Sequence, residues 1–407
     1  MSGTHCKRIR NVFQPHHERS FHMPQCDLVH QFAAELGGKV AGKPTVYDVA
    51  AHAGVSIATV SRVLTRPDDV RASTQERVLA AVRELRYVPS GSARGLASRR
   101  TGVLGLFLPG VDAVEDLSDP AVGADRPVEV RLDPERPGQR LGADLYFEAV
   151  LRGCELEAWR QGFSLMISVG RGRSPESLEI ALSDLAGKVD GLAVIAQSAP
   201  HDVLKRIGDS IPVVYLAGQR HGDDFDHITV RNREGMRALT EHLIDTHGIR
   251  DPMYLTGPFD SPDDAERYGG FAEALEGRGI NPTALPVLHG EFSRERARAV
   301  AADLIDGGRL PRALVCANDQ MALGVLDALG AAGLRVPEDV IVTGFDGIDD
   351  GARSTPRLTT VRQPMLELGR AAVRAMVARL NDPDREPVNT ELPVTVLLRE
   401  SCEGPLL

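Results

Sequence analysis

The sequence predicts two kinds of folded unit in one chain: a small all-α headpiece of helix-turn-helix type near the N-terminus, then a large α/β core of two doubly wound parallel-sheet lobes. Two observations carry this. Residues 45–88 place apolar side chains at helical spacing around a tight glycine turn, and from Val103 onward apolar runs of strand length alternate with helical stretches. A third observation is charge. Residues 44–100 hold nine arginines against five acids while the whole chain carries −10, so the remainder carries a net of −14. A small basic module on an acidic body fits a nucleic-acid binder whose bulk does something else.

Length and composition set the outer bounds. A chain of 407 residues with 42% hydrophobic and 26% charged residues is an ordinary multidomain globular protein. No apolar run reaches the roughly 18–20 residues of a membrane helix, and no apolar stretch follows the basic N-terminus. A cytoplasmic protein is the expectation. The five cysteines (Cys6, Cys26, Cys154, Cys316, Cys402) are scattered without a CxxC pair, as reduced or buried thiols would be.

Residues 1–43 are polar and end in Gly37-Gly38 and Gly42, the composition of a disordered tail. Their His5, Cys6, His16, His17, His22, Cys26 and His30 match no zinc spacing, and no metal or cofactor is expected anywhere in the chain. Residues 44–89 form the headpiece. Tyr47–Ala53 would bury Val49 and Ala53. Ile57–Leu64 would bury Val60, Val63 and Leu64, and Thr74–Arg86 would bury Val78, Val82 and Leu85. Between the first two, Gly54 supplies a left-handed backbone, Val55 a plug and Ser56 an N-cap. Helix, short glycine turn, helix is the DNA-reading unit. Pro89 stops the third helix. Residues 90–101 then form a basic Ser/Gly-rich linker with one apolar protrusion, Leu96, which is either a plain linker or a marginal helix.

The core spans 102–407. Strands are expected at Val103–Leu108, Ser164–Val169, Gly191–Ile195, Val213–Leu216, Met253–Thr256, Ala313–Cys316 and Val340–Thr343. Helices fit at Ala149–Gln161, Arg233–Thr246, Ala265–Arg278, Arg294–Asp306 and Gln320–Ala332. Such alternation implies parallel sheets covered on both faces, with ligand binding at the strand carboxyl ends between lobes. The lobes are expected at about 102–227 plus 358–382 and about 228–357 plus 390–402. Residues 111–143, rich in Asp, Glu, Arg and Pro, read as an inserted loop. GxGxxG after a strand, GxxxxGK[ST], GxSxG and HExxH are all missing, so no catalytic residues are assigned and an enzyme is the weaker reading.

The run Thr45-Val-Tyr-Asp-Val-Ala-Ala-His-Ala-Gly-Val-Ser-Ile-Ala-Thr-Val-Ser-Arg-Val-Leu64 closely resembles the headpiece of the lactose and galactose repressor (LacI/GalR) family. Tyr87-Val-Pro89 and Ala93-Arg-Gly-Leu-Ala97 resemble its hinge. Val189-Asp-Gly191, Ala317-Asn-Asp-Gln-Met-Ala-Leu-Gly324, Val336-Pro-Glu-Asp-Val340, Gly344-Phe-Asp346 and Thr359-Thr-Val-Arg-Gln-Pro364 extend the likeness over about residues 45–400. The resemblance implies a periplasmic-binding-protein-like core and a homodimer on a near-palindromic double-stranded operator, the second helix of each headpiece lying in the major groove. By position, Ile57, Ala58 and Arg62 would face base edges, with Arg62 the bidentate reader of guanine. Thr45, Tyr47, Ser56, Thr59 and Ser61 would hold phosphates, unless Thr59 and Ser61 merely face solvent. Leu96 would wedge between base steps from the minor groove.

The same resemblance places a small-molecule effector, a sugar or sugar derivative, between the lobes, on Tyr146, Phe147, Arg267, Asn318 and Asp346. Each has a plainer alternative: core packing for the two aromatics, a surface ion pair for Arg267, a helix cap for Asn318 and a turn role for Asp346. The implied protein is a transcription regulator of repressor type, with a nucleobase effector, an extracytoplasmic sugar-binding protein or an enzyme on the same core as the rival readings. The chain departs from the family at Arg71, where a small polar N-cap is usual and Ser73–Glu76 would supply a capping box instead. It departs again at Arg231, where an acid usually precedes Asn232, and in the 111–143 insertion.

Overall fold

The computed structural model describes residues 44–88, 100–108, 145–170, 174–195, 198–218 and 224–403. The expected tail at 1–43, the hinge with Leu96, and the insertion at 111–143 lie outside the described residues. The chain divides into two compact units after Ser90.

In the first unit, helix α1 (Val46–Ala53) is started by a capping box. Thr45 Oγ1 accepts from Asp48 N–H (3.4 Å), and Asp48 Oδ2 accepts from Thr45 N–H (2.7 Å). Gly54 ends it at φ 62°, ψ 42°, a left-handed conformation that a Cβ would strain. Ser56 then caps helix α2 (Ile57–Thr65), its Oγ accepting from Thr59 N–H at 3.2 Å. Helix α3 (Ala72–Glu84) closes a core of Val49, Ala53, Val60, Val63, Val78, Ala81 and Tyr87. It begins two residues before the expected Thr74. Arg71 occupies its N-cap with no side-chain bond, and the box at Ser73–Glu76 does not form because those residues already lie inside the first turn. Gln75 secures the start instead, donating through Nε2 to Pro67 O (2.6 Å) and Val70 O (2.8 Å) in the preceding loop.

The second unit holds two six-stranded sheets. The first contains β1 (Val103–Leu108), β2 (Ser164–Val169), β3 (Gly191–Ile195), β4 (Val213–Leu216), β5 (Asp226–Val230) and β11 (Asn389–Leu392), in the order β11-β5-β4-β3-β1-β2 and parallel throughout. Its inner strands bury both faces by alternation. Leu104, Leu106, Ala193, Ile195, Val214 and Leu216 point to helices α4 (Leu145–Arg160) and α12 (Met365–Asn381). Phe107, Leu192, Val194, Val213 and Tyr215 point to α5 (Pro175–Ala186) and α6 (His201–Gly208).

The second sheet contains β6 (Met253–Thr256), β7 (Val287–His289), β8 (Ala313–Cys316), β9 (Ile341–Asp346), β10 (Thr359–Arg362) and β12 (Thr395–Leu397), in the order β12-β10-β9-β8-β6-β7; only β12 is antiparallel. Around it lie α7 (Asn232–His247), α8 (Pro262–Glu276), α9 (Arg294–Asp306), α10 (Asp319–Ala331) and the short α11 (Asp349–Arg353) and α13 (Glu400–Glu403). Helices α7 and α8 nearly touch at Gly270, where a Cβ would stand 2.0 Å from Arg233 O. No described helix is long and apolar enough to cross a membrane.

The chain passes between lobes at points that differ from the sequence expectation. Strand β5 keeps residues up to Val230 in the first lobe, because Leu216 and Ile228 pair inside its sheet. Residues 359–362 belong to the second lobe, not the first: Thr359 and Thr360 are fully buried there, and Thr359 N–H donates to Ser401 Oγ at 2.8 Å. Asn389–Leu392 returns to the first sheet and Thr395–Leu397 to the second, with Pro393 between them, whose missing N–H breaks the ladder. The strand expected at Val340–Thr343 runs instead over Ile341–Asp346.

Candidate nucleic-acid interface and ligand cleft

Helix α2 sorts its side chains by the core it must bury. Val60 and Val63 face inward, while Ala58 and Arg62, four apart, share the exposed side. Ile57 is 40% exposed beside them and Tyr47 on α1 is 68% exposed. This surface offers one cation, one apolar patch and one amphipathic ring. Ser56 and Thr59 hydroxyls lie 2.9 Å apart at the helix start, and Thr59 and Ser61 are half-buried. The first-turn N–H groups there are the natural seat of a phosphate. Thr45 serves its own helix as the cap described above. One clip escaped the sequence reading: His52 Nε2 meets Glu84 Oε2 at 2.6 Å and ties α1 to α3.

The cleft residues converge on Arg267. Its helix position suggests an exposed arginine, yet it is 4% exposed. Nε donates to Asn232 Oδ1 (2.9 Å) and Nη1 to Ala317 O (2.7 Å), with Asp346 Oδ1 at 3.6 Å and the Phe345 ring 3.9 Å from the guanidinium carbon. The surface-ion-pair alternative therefore fails. Gly270, three residues on, explains the reach, since the close approach of α8 to α7 sets Arg267 against Asn232. Among the described residues, Nη2 makes no bond to protein.

Asp346 ends β9 at φ 121° and accepts from Gln363 Nε2 at 2.6 Å. Asn318 is the N-cap of α10, its Oδ1 accepting from Met321 N–H at 2.9 Å. Next to it Asp319 is fully buried, and burial pushes its carboxyl up to about 7 even though Thr360 Oγ1 and the Gly347 and Ile348 amides donate to it. Tyr146 and Phe147 lie in the first turn of α4, ring centroids 5.2 Å apart, and pack partly buried on the first lobe's core. The helix starts four residues before the expected Ala149, and that earlier start puts both rings on the core.

The sequence reading missed Asn232, Asp263 and Gln363. Asn232 Nδ2 donates to Asp263 Oδ1 at 3.0 Å, and the Gly218 amide of the first lobe also bonds this carboxyl, whose pKa burial raises. Asp263 is thus a bridge between lobes. The signal was present in Asn232, which directly follows the anomalous Arg231. Arg231 itself is exposed at the N-cap of α7 and forms no side-chain cap. Beside this bridge lies a cavity of about 270 Å³. Its walls include Glu234, Asp263, Glu266, Glu391, Asn232, Asn389 and Arg233, and, among the described residues, no aromatic ring. Arg233 is spoken for by Glu266 (2.7 Å) and Glu273 (2.7 Å).

Comparison with known proteins bears on both units. The family described as bacterial regulatory proteins, lacI family, matches residues 45–90, and the periplasmic binding protein-like domain matches residues 240–402. The HTH-type transcriptional repressor PurR of Pasteurella multocida is 30% identical over 365 residues, covering 89% of this chain and 99% of that protein. The HTH-type transcriptional regulator CelR of Thermobifida fusca is 32% identical, covering 88% and 98%. Among solved structures, a CelR–cellobiose complex superposes with a TM-score of 0.61 at 31% identity, covering 88% of this chain and 99% of that one. The lac repressor dimer bound to operator and the anti-inducer ONPF gives a TM-score of 0.72 at 26% identity, covering 89% and 99%. A headpiece built to present α2, a two-lobed core, and likeness running nearly end to end together show that this chain belongs to the lacI family of DNA-binding bacterial transcription regulators.

Proposed function

We propose that the protein is a cytoplasmic homodimeric repressor that binds a near-palindromic operator and is controlled by a neutral polyhydroxylated ligand, a mono- or oligosaccharide, held between the core lobes. The observation that carries the ligand class is the cleft chemistry. The cavity wall has four carboxylates and two amides against one arginine that is already paired, which disfavours an anionic ligand such as a sugar phosphate. Among the described residues its wall carries no aromatic face for a flat base to stack on. Carboxylates and amides set side by side suit vicinal hydroxyls, which both donate and accept. Arg267 adds an unused Nη2 donor beside Asn232 and Asp346. The solved CelR neighbour is described as a cellobiose complex, consistent with this class.

Asp263 gives the ligand its leverage, because it joins Asn232 of the second lobe to the Gly218 amide of the first. A ligand that competes for these groups changes the angle between lobes, and operator affinity changes by the coupling energy, typically about 1–3 kcal/mol. In this reading Arg62, Ile57 and Ala58 read bases. Tyr47, Ser56, Thr59, Ser61 and Thr45 fix register on phosphates, and Leu96 wedges the minor groove.

The test is a thermal-shift panel of mono- and disaccharides, sugar phosphates and purine bases on the full chain, followed by operator binding with each hit. A neutral saccharide should raise Tm and change operator affinity roughly 5–150-fold. Stabilisation by a purine or a sugar phosphate alone would overturn the ligand class.

A further inference from the structure

At the end of α7 farthest from the cleft, four side chains of different chemistry meet. His242 and His247 come from its last turns, and Cys402 and Glu403 from α13, 155 residues later in the chain. His242 Nε2 lies 2.7 Å and His247 Nε2 3.0 Å from Glu403 Oε1, and Cys402 Sγ lies 3.3 Å from His247 Nε2. All four donor atoms fall within 4.8 Å of one another. The thiol is buried, while the two rings and the carboxylate keep about a fifth to a quarter of their surface exposed.

From this convergence we infer that His242, His247, Cys402 and Glu403 form a binding site for a divalent transition-metal ion of the zinc class. Two imidazole nitrogens, one thiolate and one carboxylate are zinc's donor types. Metal–donor bonds of about 2.0–2.3 Å in a tetrahedron put donors roughly 3.4 Å apart. The pairs given above are at 2.7, 3.0 and 3.3 Å and every pair lies within 4.8 Å, so the ion is seated by side-chain adjustment, with the Glu403 carboxylate moving out from the two rings. The charges also close: a dication balances one thiolate and one carboxylate, and the partly buried site becomes neutral.

The surrounding hydrogen bond favours the same occupant. Thr246 Oγ1 lies 3.2 Å from His242 Nδ1. When Nδ1–H donates to that hydroxyl, Nε2 turns its lone pair into the cluster, the outer-shell arrangement common at metal-bound histidines. Four protein donors leave no open position, so the ion is structural rather than catalytic. It clamps α13 to α7, whose first residue is Asn232 of the cleft network. The bland alternative is a metal-free clamp, with two imidazoles donating to one carboxylate.

Chelator-stripped full-length protein decides between them, titrated with Co2+ for absorbance and with Zn2+ against a chromogenic chelator. A new site predicts one tight equivalent per chain and a thiolate-to-cobalt charge-transfer band. The band should vanish in Cys402→Ser and persist in a Cys6→Ser/Cys26→Ser double variant, which removes the tail thiols. Zn2+ affinity should fall at least 10-fold in His247→Gln and in Glu403→Gln. Circular dichroism and operator binding report whether each variant folds. If Cys402→Ser does not fold, the two other variants carry the test. No thiolate band, a band that survives Cys402→Ser or is lost with the tail thiols, or unchanged affinity in folded His247→Gln and Glu403→Gln would overturn the site.

Discussion

Arg62 on α2 is exposed and Arg267 on α8 is buried, the same side chain in opposite environments. Arg62 is exposed on α2 with Ala58 one turn behind it. A planar fork on an open helix face is suited to guanine O6 and N7, worth about 1–3 kcal/mol in base discrimination. Arg62→Ala should therefore relax preference at one base pair per half-site by roughly 5–150-fold, measured by competition binding of single-base operator variants. A uniform loss across all sequences would instead mark Arg62 as a phosphate contact. The outward side of α2 was legible because its buried positions, Val60 and Val63, fix it. Arg267 was legible only as a place, not as an environment. An arginine on an amphipathic helix is normally solvated, and what buries it is Gly270 meeting Arg233 O across a helix pair, together with Phe345 from another strand. The metal-type cluster was less visible still: His242 and His247 stand at an H-x4-H spacing, but their other donors, Cys402 and Glu403, lie about 155 residues away in the chain.

Elements declared themselves where local chemistry and burial agreed. Strands β1, β3 and β4, buried on both faces, announce themselves as short apolar runs. Strands β7, β11 and β12 are three or four residues long and half-exposed, so their composition reads as loop and only pairing reveals them. The lobe crossings were misplaced where β5, β10 and β11, none of them expected as strands, join their sheets. Helix α12 depends on such a long-range partnership. Glu157 on α4 is fully buried and accepts from Arg160 (2.6 Å), Gln161 (3.0 Å) and Arg370 of α12 (3.2 Å). Burial alone would raise its pKa, but these bonds outweigh burial and hold it at about 2, against 4.5 for a free glutamate. A carboxylate depressed in the folded state contributes stability above its unfolded pKa and loses it as pH falls through the folded value. Glu157→Gln should lower unfolding free energy near neutral pH by about 2 kcal/mol, the range of hydrogen bonds to charged groups. The gap between the two proteins should close between pH 4.5 and about 2, as urea unfolding at several pH values will report. A gap of constant size across that window would mean that the charge of Glu157 contributes nothing.

At the scale of the molecule, charge separates the tasks. Residues 44–100 are basic, and the rest carries a net of −14, so the attraction to phosphate resides in the headpiece while the acidic core repels it. The core's acidity continues into the cleft, where four carboxylates line the cavity. The division of labour was therefore legible from composition, and the two-lobed core from its alternation of strands and helices. The cleft network was not legible, because its groups, Asn232, Asp263, Arg267 and Asp346, assemble only when α7, α8 and β9 pack. If this chain reads DNA as a two-fold dimer, selection of bound duplexes from a random library by the full-length protein will show it. Such reading enriches a near-palindrome whose two half-sites each carry a guanine that Arg62→Ala no longer requires; a selected pool without any palindromic site would rule it out.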